Sequence, residues 1–333
     1  VKTGSLSHGG GIMSTALHEG LADSGFDTDL KFAIELEEKY LKSSLNNSPI
    51  WNGSSLAIEG LMEDVELELL DEVVLFESGL PCTGASISGR SKNKLKFAEQ
   101  HESAGRLFYS FLSQIQKTNP AIIVLENVKQ YVNTISFHVI QDVLDGWGYD
   151  VGEVQVLNGQ TFGSIENRER MFMVAVSKGI EFDWSNVFNQ IPDKPFNNIG
   201  ELLDPISDND PMWSEMKGLK KKQISDIEKG NGFMMNVVHS GSTKSAVIGK
   251  GYSKIRSTEP KIAHPSNPDL LRQLTPNEHC RVKTIPEYLI KGNTNTTAHE
   301  VVGQSVIFNV VKSIGQAIAD CFLSYEQKAL KAA

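Results

Sequence analysis

A thiol and a carboxylate follow two successive strand-like runs in this 333-residue sequence. Cys82 comes after the apolar run at residues 73–76 and directly follows Pro81, and Glu126 directly follows the apolar run at residues 121–125. Because the carboxyl ends of parallel strands meet at one edge of a sheet, we expect the two side chains to lie close together. A cysteine beside an acid is typical of nucleophilic catalysis, although an inert buried thiol is the more common role of a cysteine.

The residues after Cys82 favour a reactive thiol over an inert one. Residues 83–86 are small or polar, and the loop continues through Arg90 to lysines at positions 92, 94 and 96. Positive charges near a thiol stabilise its thiolate form, which is the nucleophile. We therefore predict that Cys82 lies in an open, electropositive loop.

A glycine turn near the start of the sequence is a candidate cofactor site. Gly9, Gly10 and Gly11 stand between the first strand-like run and a helical stretch over residues 12–21, and Glu35 ends the second strand-like run. An acid about 20 residues past such a turn commonly binds ribose hydroxyls. Since no Gly-Lys-Ser/Thr follows the turn, we predict a nucleoside cofactor without a long phosphate chain, with a plain tight turn as the alternative.

Two arginines alternate in a polar segment further along the chain. Arg168 and Arg170 would point to the same side of an extended segment, where they could hold a phosphate or a carboxylate. The common alternative for such arginines is a surface ion pair, here with Glu166. The sequence leaves both roles open.

Strand-like and helical stretches alternate up to about residue 180. This pattern predicts an α/β fold with a mostly parallel sheet and an antiparallel edge hairpin of residues 151–157 and 171–176. Residues 181–268 are rich in Asn, Asp, Pro, Gly and Lys, which indicates a small irregular domain. Order returns with a capping box of Thr275 and Glu278 and a last helix over residues 304–318. We therefore expect a first domain at 1–180, an inserted domain at 181–268, and a return to the first domain at 269–333.

The charge of the chain is divided unevenly. The net charge of −9 argues against indiscriminate binding of nucleic acid. Residues 59–77 hold eight acids and no base, whereas residues 217–261 hold ten bases and three acids, a balance of +7. The basic segment fits a polyanionic partner and a solvated surface about equally well.

Composition disfavours several classes of protein. No apolar run reaches the length of about 18 residues that a membrane span needs, and no secretory leader is visible. The cysteines Cys82, Cys280 and Cys321 do not have the spacing of metal ligands or of a disulfide framework. We expect a cytoplasmic protein with reduced thiols, no membrane partner and no metal.

Taken in order, these residues resemble the motifs of the DNA cytosine-5 methyltransferases over nearly the whole chain. The matching motifs are Gly9/Gly11, Glu35, Pro81-Cys82 with Ser86, Glu126-Asn127-Val128, Glu166-x-Arg168-x-Arg170, Arg272-x-Leu274-Thr275-x-x-Glu278 and Gly303-Gln304-Ser305-Val306. The resemblance implies a Rossmann-like sheet domain that binds S-adenosylmethionine, with a target-recognition domain inserted before the last two motifs. The basic segment lies at that place, so duplex DNA is the implied partner, with or without a cognate restriction endonuclease.

The resemblance also implies roles for single residues. Cys82 would add to carbon 6 of cytosine, and Glu126 would hydrogen-bond the ring nitrogen 3 edge and the exocyclic amine. Arg168 would help to hold the base, and Arg170 would support its loop. The implied DNA contacts come from Ser86, Arg90 and Arg272. Because carbon 6 is shielded in a stacked duplex, the target base would be flipped into the pocket.

The implied cofactor pocket is made by Ser7, Gly9, Gly11, Glu35, Ser54, Gly79, Pro81 and Ser305. The chain departs from the family pattern at several positions, some of them in this pocket. The departures are Ser7 where Phe is usual, Ser54 where Asp is expected, Thr83 and Glu166 where Gln is usual, and Gln304 where Asn is usual. They bear on cofactor affinity more than on the making and breaking of bonds.

Two other functions stay open at this point. A tRNA cytosine-5 methyltransferase would share the fold, Cys82 and the Glu126-Asn127-Val128 motif, although the basic insertion favours duplex DNA. A catalytically silent DNA-binding relative would also keep the fold, but the presence of Cys82, Glu126, Arg168 and Arg170 argues against it.

Overall fold

The computed structural model describes residues 1–81, 106–231 and 234–332, so the predicted site residues Cys82, Ser86 and Arg90 lie outside the described residues. The chain forms two compact units. The sheet unit comprises Val1–Leu157, Glu169–Ile191 and Val310–Ala333, and the insert unit comprises Asn158–Arg168 and Pro192–Asn309. Residues 269–309, which the sequence-based boundaries place in the returning part of the first domain, thus belong to the insert unit.

The elements of the described residues follow in chain order. The strands are β1 (Lys2–Leu6), β2 (Asp29–Glu35), β3 (Leu56–Glu59), β4 (Leu75–Gly79), β5 (Ile122–Val128), β6 (Tyr149–Asp150), β7 (Gln155–Asn158), β8 (Glu169–Ser177), β9 (Val237–Val238), β10 (Lys261–Ala263) and β11 (Leu271–Arg272). The helices are α1 (Ile12–Asp23), α2 (Glu38–Asn47), α3 (Leu107–Thr118), α4 (Ile135–Gly146), α5 (Trp184–Asn189), α6 (Ile199–Leu202), α7 (Lys217–Glu228), α8 (Pro276–Val282), α9 (Asn295–Gln304) and α10 (Phe308–Ala332).

A mostly parallel sheet organises the sheet unit. Its strand order is β3-β2-β1-β4-β5-β8-β6, with β7 also paired to β8. β1 to β5 pair in parallel, whereas β8 runs antiparallel to β5 and β6. β2 and β5 carry apolar runs at residues 32–34 and 122–125, whereas the central strand β1 is buried from Thr3 to Leu6 but mostly polar. Burial of these strands is expected where both faces of a sheet are covered. The predicted α/β fold with a mostly parallel, Rossmann-like sheet is confirmed.

The predicted pairing of the two antiparallel segments is present, since β7 pairs with β8, but β8 itself is not at the edge of the sheet. β8 lies between β5 and β6, and its residues from Met171 to Val176 pair along the length of β5. Those residues are buried, so their backbone groups need hydrogen-bond partners. β5 on one side, and β6 and β7 on the other, pair with β8. The short strand β6 takes the outer position, and two of its residues pair with β8.

The end of the chain also differs from the prediction of one helix over residues 304–318. Ser305 adopts an extended conformation with φ −72° and ψ 168°, which ends α9 at Gln304. α10 then begins at Phe308 and continues to Ala332.

In the described part of the chain no single helix is long and apolar enough to cross a membrane. Only the bent pair of helices Asn295–Gln304 and Phe308–Lys328, with a 49° bend between them, meets both criteria there.

The insert unit has a small sheet and a core of its own. Its strands are ordered β11-β10-β9, and Ile248, Tyr252 and Ile262 are buried in its core. The predicted capping box at the start of α8 is confirmed, since the hydroxyl of Thr275 accepts from the backbone of Glu278 and the Glu278 carboxylate accepts in return. Local capping signals thus define this helix start.

Two glycines allow α1 and α10 to pack closely in the sheet unit. A Cβ atom on Gly20 would lie 2.2 Å from the carbonyl oxygen of Lys312, and one on Gly315 would lie 2.6 Å from that of Leu17. Gly20→Ala should therefore lower the free energy of unfolding by about 1–3 kcal/mol. Gly218→Ala in α7, where an added Cβ meets nothing within 4 Å, is the matched control and should be neutral or stabilising by up to about 1 kcal/mol. Urea denaturation measures both, and equal effects would contradict the close packing.

Candidate functional site

The glycine turn at the end of β1 has the backbone geometry of a ligand-binding turn. Ser7, Gly9 and Gly11 have positive φ angles of 56°, 58° and 75°. A Cβ atom on Gly11 would lie 2.2 Å from Oγ of Ser44, so only glycine fits at the start of α1. Gly11 is buried against Ser44 and His8, whereas Ser7 and Gly9 are partly exposed, so a ligand can reach the backbone at those two positions.

The carboxylate of Glu35 joins this turn to the end of β2. Its Oε2 accepts a hydrogen bond from the Gly9 amide at 2.6 Å, and its Oε1 accepts from the Glu37 amide at 3.0 Å. Each carboxylate oxygen can accept a further hydrogen bond. Glu35 thus stands where it was predicted, beside the turn, with capacity left for a ribose hydroxyl.

Ser54 is not at the cofactor edge of the sheet, and that prediction is wrong. Its amide and hydroxyl donate to Oδ1 of Asn52, and it precedes β3 instead of following it. β3 pairs in parallel with β2, so Glu59 lies beside Glu35 in register and Ser54 lies towards the opposite edge. Glu59 was not predicted, although the short apolar run at residues 56–58 would have placed it at a strand end.

Apolar side chains accompany these acids. Leu36 directly follows β2 and is 56% exposed, and Leu61 follows β3 by two residues and is 47% exposed. An exposed leucine beside carboxylates offers a surface for a flat ring with polar edges. Both leucines lie at the end of a strand, a signal that the sequence analysis did not use.

Glu126 lies at the same edge, three strands away from Glu35 along the sheet. It pairs in register with Gly79, where a Cβ atom would lie 3.5 Å from Oε2 of Glu126. Nε of Arg170 lies 3.1 Å from Oε1 of Glu126, and both side chains are largely buried. Arg170, expected to support a loop, therefore holds the candidate catalytic carboxylate directly.

Asn127 has a role that the sequence analysis did not assign. Its Nδ2 donates to the carbonyl oxygen of Leu80 at 3.2 Å, and its Oδ1 accepts from the Val128 amide. Leu80 directly follows β4 and precedes Pro81, so this bond fixes the chain at the end of β4. The Glu126-Asn127 pair thus positions two neighbouring strand ends.

Arg168 is placed differently from the expectation for an alternating pair. It belongs to the insert unit and precedes β8, which begins at Glu169 and contains Arg170. The expected ion pair with Glu166 is present at 3.5 Å, but it is buried instead of lying on the surface. Because Arg168 precedes β8 and Arg170 lies within it, the two arginines do not alternate along one strand as the sequence pattern predicted.

Arg272 is not available to DNA, so its predicted contact is wrong. It is 1% exposed, and its guanidinium donates to both carboxylate oxygens of Glu278 at 2.6 and 2.8 Å. It also lies over the ring of Trp213 at 5.2 Å. A buried arginine whose charge is paired with a carboxylate leaves no charge for a phosphate. Ser305, at the end of α9, donates to the carbonyl of Val301 and is partly exposed.

The cysteines in the described residues are poor nucleophiles. Cys280 and Cys321 are both buried. Burial raises the pKa of the Cys280 thiol far above its usual range and that of Cys321 to about 12. Among the described residues no group of three or more His, Cys, Asp or Glu side chains is arranged to hold a metal ion.

A buried carboxyl lies next to the glycine turn. Glu77 of β4 pairs in register with Ser5 of β1 and accepts a hydrogen bond from the Ser14 hydroxyl. The same hydroxyl lies 3.1 Å from Nδ1 of His8, whose Nε2 lies 2.8 Å from Oγ of Ser44. This network ties His8, within the turn, to α1, α2 and β4.

Burial shifts both titrating groups of the network towards their neutral forms. It raises the pKa of Glu77 to about 7, against the opposing hydrogen bonds from Ser14 and Ser5. Burial, with a smaller contribution from His18, lowers the pKa of His8 to about 3. The contribution of Glu77 to the free energy of unfolding is therefore fully present below pH 4.5, the pKa of the group in the unfolded chain. This contribution is lost as the pH rises through about 7, the pKa in the folded protein.

Glu77→Gln should consequently remove part of the pH dependence of stability. When the pH rises from about 5 to about 8, wild type should lose about 2–3 kcal/mol more free energy of unfolding than the variant. Urea denaturation at the two pH values measures this difference. Glu72→Gln, which changes an exposed carboxylate nearby, should follow wild type. The same pH dependence in Glu77→Gln and wild type would refute the assignment.

Comparison with known proteins agrees with this arrangement. The family model described as C-5 cytosine-specific DNA methylase matches residues 2–320. The chain is 24% identical to the Type II methyltransferase M.Eco47II of Escherichia coli, over 85% of this chain and 72% of that protein. It is 26% identical to the Type II methyltransferase M.Bsp6I of Bacillus sp. (strain RFL6), over 89% of this chain and 94% of that protein. The crystal structure of S. pombe Dnmt2 methyltransferase has the same fold as this chain, with a TM-score of 0.76 and 17% identity. The match covers 97% of this chain and 99% of that one. The chain therefore belongs to the C-5 cytosine-specific DNA methylase family.

Proposed function

We propose that this protein transfers a methyl group from S-adenosylmethionine to carbon 5 of a cytosine flipped out of a specific duplex DNA sequence. The observation that carries the proposal is the Glu126 carboxylate, held by Arg170 beside Gly79 at the carboxyl edge of the sheet. Asn127 fixes Leu80 at the neighbouring strand end, and Leu80 precedes Pro81 and the proposed nucleophile Cys82 in the sequence.

The residues at the other strand ends suit S-adenosylmethionine. The backbone of residues 7–11 can approach the cofactor closely, Glu35 can accept from the ribose hydroxyls, and Glu59 can accept from the adenine amine. Leu36 offers an apolar surface for the adenine ring. Two carboxylates at this edge would repel a phosphate chain, which favours a nucleoside sulfonium over a dinucleotide. When bound, this cofactor supplies an electrophilic methyl group.

Cys82 and Glu126 would prepare the cytosine for that methyl group. The thiolate of Cys82 forms a bond to carbon 6, and the electron pair of the ring double bond becomes available at carbon 5. Glu126 would donate a proton to nitrogen 3 and accept a hydrogen bond from the exocyclic amine, which neutralises the negative charge that develops on the ring as the thiolate adds. Carbon 5 would then bond to the methyl carbon while the bond from that carbon to the sulfonium sulfur breaks, with S-adenosylhomocysteine as the leaving group. Loss of the carbon 5 proton to solvent would break the bond between carbon 6 and the Cys82 sulfur and restore the thiolate.

The insert unit would supply contacts to duplex DNA. Residues 181–268 lie where the family carries its target-recognition domain, and the exposed lysines of α7 include Lys217, Lys221 and Lys222. Such lysines contact phosphates without reading sequence, so the recognised site would depend on other side chains. A cytoplasmic location, where DNA is accessible, and pairing with a cognate restriction endonuclease belong to the same proposal.

A covalent intermediate can be trapped with DNA that contains 5-fluorocytosine. Fluorine at carbon 5 cannot leave as a proton does, so wild type with S-adenosylmethionine should form an adduct that survives denaturing electrophoresis. Cys82→Ser should form none, while Cys321→Ser, which alters a buried thiol, should behave like wild type. An adduct that persists in Cys82→Ser would exclude Cys82 as the nucleophile.

The nucleic acid substrate is tested separately. Wild type should transfer labelled methyl groups from S-adenosylmethionine to duplex DNA at least about 10-fold faster than to tRNA, since the basic insertion suits an extended duplex. The two substrates are measured side by side at matched cytosine concentration and salt. Preference for tRNA would overturn the choice of substrate while leaving the chemistry intact.

A further inference from the structure

Glu77 is a buried carboxyl of the sheet unit to which the proposed chemistry assigns no task. It is 4% exposed, and its register partner on β5 is the apolar Val124. In β4 it lies two residues before Gly79, and residues two apart in a strand share one face at a separation of about 7 Å. The carboxyl therefore lies on the same face of the sheet as Gly79, one of the predicted cofactor residues.

Hydrogen bonds connect this carboxyl to the glycine turn. The hydroxyl of Ser14, in the first turn of α1, donates to Oε1 of Glu77 and lies 3.1 Å from Nδ1 of His8. Ser5, which pairs in register with Glu77, has its hydroxyl 2.8 Å from the same nitrogen of His8. The carbonyl of His8 accepts from the Gly11 amide at 3.0 Å. One hydroxyl thus separates the Glu77 carboxyl from the turn that is proposed to hold the cofactor.

The part of the chain that the structure describes supplies no cation to compensate an ionised Glu77. The groups that face it there are the hydroxyls of Ser5 on β1 and Ser14 on α1, and beyond them the ring of His8. Burial is the main cause that lowers the pKa of His8 to about 3 and the pKa of His18, on α1, to about 4. Both rings are therefore neutral near pH 7.

Such a carboxyl responds to a cation that binds nearby. Burial raises the pKa of Glu77 to about 7, so its charge changes near neutral pH. A positive charge brought close to a buried carboxyl favours the ionised form. S-adenosylmethionine carries a positive charge on its sulfonium, whereas S-adenosylhomocysteine, the product of methyl transfer, has an uncharged thioether at the same place. The two ligands therefore differ in the property to which Glu77 is sensitive.

We propose that Glu77 is a specificity-determining residue whose carboxylate favours S-adenosylmethionine over S-adenosylhomocysteine. The inference rests on the proposed function, in which the glycine turn and the neighbouring strand ends hold the cofactor. Glu77 acts through the field of its charge and does not touch the methyl group that is transferred. Its neutral form lacks this preference, so protonation of Glu77 weakens the selection of cofactor against product.

The affinities for the two ligands as a function of pH test this role. Titration calorimetry on the full chain gives the Kd values of S-adenosylmethionine and S-adenosylhomocysteine at several pH values. The ratio of product Kd to cofactor Kd should rise by about 3-fold or more between about pH 6 and about pH 8, because the sulfonium stabilises the carboxylate. In Glu77→Gln this rise should be lost, and any change that remains reports titration of the ligands themselves.

Two further variants complete the test. Against the larger effect of burial, the hydrogen bond from Ser14 lowers the pKa of Glu77, so Ser14→Ala should move the rise in the ratio to higher pH. Glu72→Gln changes an exposed carboxylate that precedes the same strand, and as the matched control it should follow wild type. Circular dichroism establishes that each variant is folded.

The outcomes separate this inference from the proposed function. A ratio that does not rise with pH in wild type, or that rises equally in Glu77→Gln, overturns the inference and leaves cofactor binding in place. If Glu77→Gln does not fold, Ser14→Ala decides: a rise displaced to higher pH supports the inference, and a rise at the wild-type pH overturns it. If wild type binds neither ligand, the proposed function fails, and the inference with it.

Discussion

Parallel pairing of β1 to β5 is the constraint on which the candidate site depends. The register sets Leu6 beside Ile34 and Ser78, Glu35 beside Glu59, and Gly79 beside Glu126. Residues that are far apart in the chain therefore share one edge because the hydrogen-bond ladders leave no other arrangement. A shift of one residue in any strand would turn each of its side chains to the opposite face, so the core that covers the sheet also protects the site.

Polar groups at this edge are fixed by partners that do not themselves need to react. The Gly9 amide and Glu35, Arg170 and Glu126, and Asn127 and the Leu80 carbonyl form bonds between neighbouring elements. Such bonds hold side chains in place before substrate arrives, which lowers the reorganisation that a reaction would require. The insert unit uses the same principle around Glu166, where Lys283 and Arg168 share one anion. In each unit, charge compensation and backbone hydrogen bonds hold buried polar side chains in place.

Strand ends were predictable from sequence because apolar runs are visible without knowledge of long-range contacts. This is why Glu35 and Glu126 were placed correctly at the carboxyl edge, and why the capping box at Thr275 was found from local spacing. β3 is short and partly exposed, so its start was missed and Ser54 was chosen in place of Glu59. Arg272 was assigned by motif alone, whereas its role follows from the buried pair with Glu278. Asn127 and Lys283 could not be assigned from sequence, because each acts on a partner 47 or 117 residues away, at Leu80 and at Glu166 respectively.

The central claim is that the edge built by Gly79, Glu126 and Arg170 supports cytosine-5 methylation of duplex DNA through Cys82. Bisulfite sequencing of plasmid DNA from a host without cytosine methylation, expressing either wild type or Cys82→Ser, tests this most directly. The account predicts unconverted cytosines confined to one short sequence context with wild type and none above background with Cys82→Ser. Complete conversion in both samples, with equal amounts of folded protein, would contradict it.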